Sequence, residues 1–353
     1  MIISRAGLLR AAAASLALPT LASPLVARAT TGDSRLGQAF RSNLSGAGPK
    51  PWTAIPPDNG GPLRFAVIGD NTGVAKPGVF DQAMRQIGWL EPDFILSVGD
   101  LIEGYSEDRS QIAQQWAVID ASIARSGRPF LFTPGNHDID NAETLDAWRE
   151  RRGDGHYAFT YKGALFLVLN TEDTPTPMPA DTAKHFYSLV DLMRTDPDRA
   201  ENEAVERINA SASGERGERN PYAHLEVINL GDAQLGFVRD TLVRYPYVTW
   251  TFVILHKPAW KMHSDSFDKV RAMLKGRPHT VFAGHTHYFT HDVFDGNDYI
   301  NMASTGGVRH KNGPGTMDHT MVVTLGPDGP IYANTRLNGL MDVAGETGQV
   351  RAY

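Results

Sequence analysis

Short apolar runs, each stopped abruptly by a polar tip, recur along this chain. Phe65-Ala66-Val67-Ile68 ends at Gly69-Asp70, and Phe94–Val98 ends at Gly99-Asp100. Pro129–Phe132 ends at Thr133-Pro134-Gly135-Asn136-His137-Asp138, Phe252–Leu255 at His256, and Val281–Ala283 at Gly284-His285-Thr286-His287. Runs rich in Val, Ile and Phe between turn residues predict buried strands. Further strands are predicted at Ala164–Leu169, Val248–Leu255, Tyr299–Ala303 and Thr320–Leu325. Between them lie helical patterns. Val79–Leu90 is one; Arg109–Arg125 carries Ile112, Trp116 and Ile119 at helical spacing; Gly231–Leu242 turns Leu235, Val238 and Leu242 inward, with Asp232 as candidate cap. Alternating strands and helices indicate an α/β sandwich. Because ligands gather at the carboxyl ends of strands in α/β sheets, the five tips could converge on one crevice.

The rhythm breaks at both ends and once in the middle. Glu172–His224 interrupts it, and within that segment Phe186, Leu189, Val190 and Met193 form one apolar helical face. It is read as a packed insert rather than a lid. Thr30–Pro62, rich in Gly, Pro and Ser, is read as a tether wrapped on the surface or left loose, with the domain proper running from Leu63 to about residue 340. Met1–Ala29 reads as a signal peptide: Arg5 and Arg10 come first, Ala11–Leu21 is largely apolar but too short to span a bilayer, and Ala27-Arg28-Ala29 offers a cleavage site. Ser4–Arg10 also resembles a twin-arginine signal, with Ala6 where the second arginine belongs. The expectation is an exported protein, periplasmic or secreted, without a transmembrane span.

Composition narrows the chemistry. The 353 residues are 41% hydrophobic, enough for a large core, and include no cysteine, so any metal must be held by Asp, Asn, Glu or His. The formal charge is −6, and losing Arg5, Arg10 and Arg28 with the signal would make it more negative still. An acidic surface argues against bulk nucleic-acid or anionic-membrane binding. The oligomeric state stays open.

Taken singly, Asp70 or Asp100 would be a turn residue, Asn136 a turn asparagine and His256 a loop histidine. Their joint placement with the His285/His287 pair reverses that reading. The tips Gly69-Asp70, Gly99-Asp100, Gly135-Asn136-His137-Asp138, His256 and Gly284-His285-Thr286-His287 stand in the order of the calcineurin-like metallophosphoesterase superfamily, which includes the purple acid phosphatases, and the chain resembles that superfamily from Leu63 to roughly Leu325. The resemblance implies a four-layer αββα sandwich with two mixed sheets flanked by helices. It also implies two metal ions of Mn, Fe or Zn type, with Asp100 bridging them. Asn136, His256 and His285 would complete one ion, and Asp70 and His287 would serve the other. By the same resemblance His137 is the general acid that protonates the departing oxygen, with Asp138 orienting it, and a metal-bridged hydroxide attacks a phosphate mono- or diester.

One departure stands out. The superfamily commonly begins Asp-x-His, whereas this chain has Asp70-Asn71-Thr72. Purple acid phosphatases lack that histidine too and use a tyrosine three residues after the bridging aspartate, where Glu103 stands here. Glu103 is therefore a candidate replacement ligand; a solvated acid beside a weakly held first ion is the competing reading. His263, His310 and Arg309 are candidates to line a substrate pocket, and Trp89, Trp116 and Trp250 are expected in the core. The substrate would be a phosphorylated small molecule. Two alternatives remain: a phosphodiesterase for nucleotide or lipid headgroups, and a degenerate relative that binds one metal or a phosphorylated ligand without turnover.

Overall fold

A computed structural model describes residues 39–213 and 226–339. The expected signal peptide, Met1–Ala29, lies outside the described residues, as do the start of the tether and part of the insert. In chain order the elements are β1 (Arg41–Ser42), β2 (Arg64–Ile68), α1 (Val79–Leu90), β3 (Phe94–Ser97), α2 (Arg109–Ala124), β4 (Phe130–Leu131), α3 (Ala142–Arg152), β5 (Tyr157–Tyr161) and β6 (Ala164–Val168). There follow α4 (Ala180–Thr195), α5 (Pro197–Ser213), α6 (Asp232–Arg244), β7 (Trp250–Ile254), α7 (Asp265–Leu274), β8 (His279–Ala283), β9 (Thr290–Phe294), β10 (Asn297–Asn301), β11 (His319–Gly326) and β12 (Gly329–Arg336). Among the described residues no helix is long and apolar enough to cross a membrane.

The strands form two mixed sheets. One has the order β1-β5-β6-β7-β8-β10-β9, the other β12-β11-β2-β3-β4. Their facing sides are packed with phenylalanine: Phe65 contacts Phe252 and Phe166 at ring-centroid distances of 5.0 and 5.3 Å, and Phe94 meets Phe166 at 5.4 Å. Truncating one such ring would cost about 3–5 kcal/mol, since the hole cannot close fully. The outer face of the smaller sheet is covered by α1, α2 and α3, and that of the larger by α6 and α7. The result is the expected four-layer αββα sandwich. β2, β3 and β4 are mutually parallel, as are β6, β7, β8 and β10. The ends of β2, β3 and β4 in one sheet and of β7 and β8 in the other therefore carry all five polar tips.

Residues 39–62 are laid along the domain. β1 pairs with β5, Phe40 stacks on Phe159 at 5.0 Å, and the Thr53 and Phe132 amides donate to the carbonyls of Phe130 and Pro51. Trp116 and Trp250 are core residues as expected, but Trp89, near the end of α1, is 45% exposed. The cap of α6 is Gly231, not Asp232, which sits in the first turn.

β11 buries a histidine completely. His319 Nε2 accepts from the Ala303 amide at 2.9 Å, and its Nδ1 faces Asn334 Oδ1 at 3.0 Å. Burial pushes the imidazole down to about 4 in spite of these two bonds. An unfolded histidine titrates near 6.5, so the unfolded chain takes up this proton first as the pH falls. The neutral His319 contribution is complete above pH 6.5 and is lost between pH 6.5 and 4, amounting to about 3 kcal/mol. Urea unfolding at pH 7.5 and pH 5 should show a loss in the wild type that shrinks in His319→Gln; equal losses would refute the assignment.

Candidate metal centre

Around His256, at the end of β7, the donors meet. Its Nδ1 faces the Val98 carbonyl at 2.9 Å; since a carbonyl only accepts, Nδ1 carries the hydrogen and Nε2 is left for the interior. That Nε2 lies 3.1 Å from Asp100 Oδ2, 3.0 Å from Asn136 Oδ1 and 3.2 Å from His285 Nδ1. With His256 neutral and His285 in the tautomer that leaves Nδ1 bare, this puts four lone-pair donors around one point, an arrangement with too few hydrogens to satisfy itself. A cation fits it: one carboxylate, one amide oxygen and two imidazoles are suitable ligands for Zn, Mn or Fe. Among the described residues, Asp100, His256 and His285 are also the one set of three His or acidic donors close enough to share an ion. Burial works against charging His256, but Asp100 beside it raises its pKa to about 9, and the same pairing, with His137 nearby, holds the buried Asp100 carboxyl far below the carboxylate range.

The backbone supporting these ligands is strained and heavily tied. Asp100, His285 and His287 all have positive φ, at 56°, 71° and 54°. The Asp100 turn is held by Asp138, whose two oxygens accept from the amides of Asp100, Leu101, Ile102 and Gly135 at 2.9, 2.9, 3.3 and 3.0 Å. Gly135 must be glycine, because a Cβ there would sit 2.1 Å from Asp100 Oδ1. The next turn is held by Asp70, which receives the His285 amide on both oxygens at 3.0 Å. Burial, offset by His256 but reinforced by Asp100, pushes the Asp70 carboxyl up to about 8. After β7, a buried Lys257–Glu172 pair at 2.7 Å fixes the chain.

His137 borders the centre, with Nε2 3.9 Å from Asp100 Oδ2. Its Nδ1 donates to the Glu103 carbonyl at 2.8 Å, and its own amide donates to Asp100 Oδ1 at 2.9 Å. The expected partner, Asp138, does not orient this ring. Its four amide bonds turn it toward the Asp100 loop, and the orienting acceptor is a backbone oxygen that no side-chain pattern could reveal.

Glu103 also has a different position from that expected of a ligand. Its carboxylate accepts from the amides of Val74 and Ala75 at 2.9 and 2.7 Å and from the Thr72 hydroxyl, so it organises the loop after β2. Glu103→Gln should therefore leave the metal content unchanged by elemental analysis while lowering stability by about 1–3 kcal/mol, because an amide offers one acceptor oxygen to two amides and a hydroxyl. His287 has its Nδ1 tied to the Val308 carbonyl and its ring stacked on His310 at 3.8 Å. The bonds of the donors expected for a second ion resemble those of the first set: the Val308 carbonyl keeps the hydrogen on His287 Nδ1 and leaves Nε2 available, His287 lines the same cavity as Asp100 and His285, and Asp70 accepts a backbone amide as Asp100 does.

Tyr105 has no motif to mark it, yet it belongs to the centre. Its hydroxyl oxygen receives Asn136 Nδ2 at 2.6 Å, which fixes the amide so that Oδ1 points to His256, and its ring lies 4.4 Å from that of His137. Of the suggested pocket residues, His310 does border the cavity beside the centre. His263 lies in a separate surface depression with Asn229 and Lys269. Arg309 ties down the insert through Asn202 and Glu201, each at 3.5 Å.

The family model for calcineurin-like phosphoesterases matches residues 63–289. The chain belongs to this family. Over 113 residues it is 32% identical to the serine/threonine-protein phosphatase CPPED1 of Pongo abelii, a match covering 28% of this chain and 34% of that protein. The human counterpart is 31% identical over 113 residues, with the same coverage of 28% and 34%. The chain thus spans about a third of the length of these relatives. A dimetal phosphatase from Danio rerio shares the fold, with a TM-score of 0.52, 12% identity, and coverage of 78% of this chain and 97% of that one.

Proposed function

We propose that this calcineurin-like family member is an exported, metal-dependent hydrolase of phosphate mono- or diesters in which His137 is the general acid. The observation that carries the reading is the meeting of Asp100, Asn136 and His285 around His256 Nε2, with His137 on the border of the same cavity. Cations bound there would supply Lewis-acid charge for the phosphoryl oxygens and acidify water at neutral pH. The chain itself orients the reactants and handles the proton. Glu103 holds hydrogen on His137 Nδ1, so the proton that leaves for the ester's departing oxygen is the one on Nε2. Tyr105 keeps the Asn136 amide from flipping, and Asp138 keeps the Asp100 turn from relaxing.

The test combines elemental analysis with release of nitrophenol from mono- and bis-ester probes. Metal-dependent turnover supports the reading, and the preferred probe distinguishes monoesterase from diesterase. No turnover with any metal would overturn it. Thr72, which stands where the superfamily commonly has a histidine and whose hydroxyl is bonded to Glu103, favours a second reading, a single-ion protein that binds phosphorylated ligands without turnover; one ion per chain and no hydrolysis would support that instead. For export, the mature protein recovered outside the cytoplasm should begin near Thr30. A cytoplasmic protein with an intact amino terminus would refute that part.

A further inference from the structure

We infer that the cavity beside the metal centre is a pocket for the leaving group, and that the preferred substrate is a phosphate ester of an apolar alcohol. The inference rests on the hydrolase reading above and specifies its substrate. The cavity, of about 210 Å³, shares Asp100, Asn136, His137 and His285 with the centre. Much of the wall beyond them is hydrocarbon: Val74, Met178, Phe186, Leu189, Ile208 and Val308. Most of these side chains come from a small apolar cluster in which the insert helices α4 and α5 pack on the loops after β2 and β10. The insert therefore lines the cavity as well as packing.

The geometry of proton transfer says which part of the substrate meets this wall. Hydrolysis forms a bond from water oxygen to phosphorus and breaks the bond from phosphorus to the alcohol oxygen, which takes the His137 proton. The carbon skeleton attached to that oxygen must then extend past His137, away from the cations. There the His137 ring is flanked by Tyr105 at 4.4 Å and Phe186 at 5.4 Å. Apart from the centre's own residues, Tyr105, His287 and His310, the described polar side chains on the cavity are Arg207 and Glu226. A sugar, nucleoside or glycerol portion would bury hydroxyls against carbon with few partners, which is unfavourable. A ring or short alkyl chain would gain by burial. The volume is below that of usual drug-sized sites, so it suits such a group better than a folded peptide segment.

The test is a series of alkylphosphonates, methyl to hexyl, titrated calorimetrically into the metal-loaded full chain. Affinity should rise about three- to fourfold per added methylene over the first members. The same gradient should appear in kcat/KM for alkyl phosphates, with phenyl phosphate preferred to glycerol phosphate and to a phosphoserine peptide. Met178→Ala, at a half-buried and tolerant position, and Phe186→Ala should flatten the gradient; the wild-type series stands alone if either variant folds poorly. Turnover with a flat gradient, or with preference for glycerol phosphate or the peptide, would overturn the inference and leave the hydrolase reading intact. A steep binding gradient without hydrolysis of any ester would keep the apolar pocket and overturn the hydrolase reading, and with it the assignment of the bound group as a leaving group.

Discussion

Replacing His137 by asparagine is expected to lower kcat for alkyl phosphates by about 10²–10⁴-fold, the usual contribution of a positioned general acid. The loss should come without loss of metal. The backbone amide of residue 137 supplies the bond to Asp100 Oδ1, and an asparagine Nδ2 can replace the ring Nδ1 as donor to the Glu103 carbonyl. What asparagine cannot do is release a proton from the position of Nε2. The deficit should therefore depend on the leaving group. A nitrophenolate departs without being protonated, and its ester should lose about tenfold or less, whereas an alkoxide must be protonated and should suffer the full loss. A plot of log kcat against leaving-group pKa should be shallow for the wild type and steep for the variant. Parallel plots, with an equal loss for every ester, would remove His137 from the role of acid.

The parts of this molecule legible in the sequence are those where burial has one direction. Helix α1 has the predicted bounds because Val79, Phe80, Ala83, Met84 and Ile87 form a single inward face. The inner strands β2, β3, β7 and β8 are buried on both sides, so they read as continuous apolar runs with a defined stop. The outer elements lack that signature. β9 alternates between half-buried and exposed positions at the edge of the larger sheet, and β12, at the edge of the smaller one, has no fully buried position. α3 buries little beyond Thr144, Ala147, Trp148 and Arg152 in a strongly polar helix; its legible signal is the Asn141 capping box rather than an apolar stripe. β5 is fully buried and aromatic, Tyr157 to Tyr161, and could have been found from that run alone.

At the centre the same distinction separates candidate ligands from their supports. A residue at the end of a predicted strand has a place in the fold before any contact is known, so Asp100, Asn136, His256 and His285 could be matched to the order of motifs in the superfamily that the chain resembles. Supporting contacts depend on which loops cross in space. Glu103 and Asp138 are both acidic and both near a tip, yet one binds the amides after β2 and the other the amides after β3. Neither partner is close in sequence to its carboxylate, apart from Gly135 for Asp138, so spacing carried no information about the choice.

Asp100→Asn should have the more severe effect of the two replacements argued here, because it removes the one formal negative charge from the four-donor set while altering almost nothing in shape. Asp100 currently uses its oxygens in different directions: Oδ1 accepts from the His137 amide and Oδ2 faces His256 Nε2 at 3.1 Å. An asparagine has one oxygen for these two duties. If that oxygen keeps the His137 amide, an NH₂ group is directed at the point where the lone pairs meet, and N–H hydrogens exclude a cation. If it turns to the centre, the NH₂ group opposes the His137 amide, donor against donor, in a fully buried position, at a cost of about 1–3 kcal/mol. Either orientation removes the charge that partly neutralises the ion, so metal content should drop from stoichiometric to trace levels, and activity should fall by about 10³-fold or more once the Lewis acid is gone. Because Asp138 holds the turn through backbone amides, the fold should survive, and circular dichroism should be unchanged. A variant that retained full metal and lost only turnover would mean that the ion is held elsewhere and that the donors around His256 are not its site.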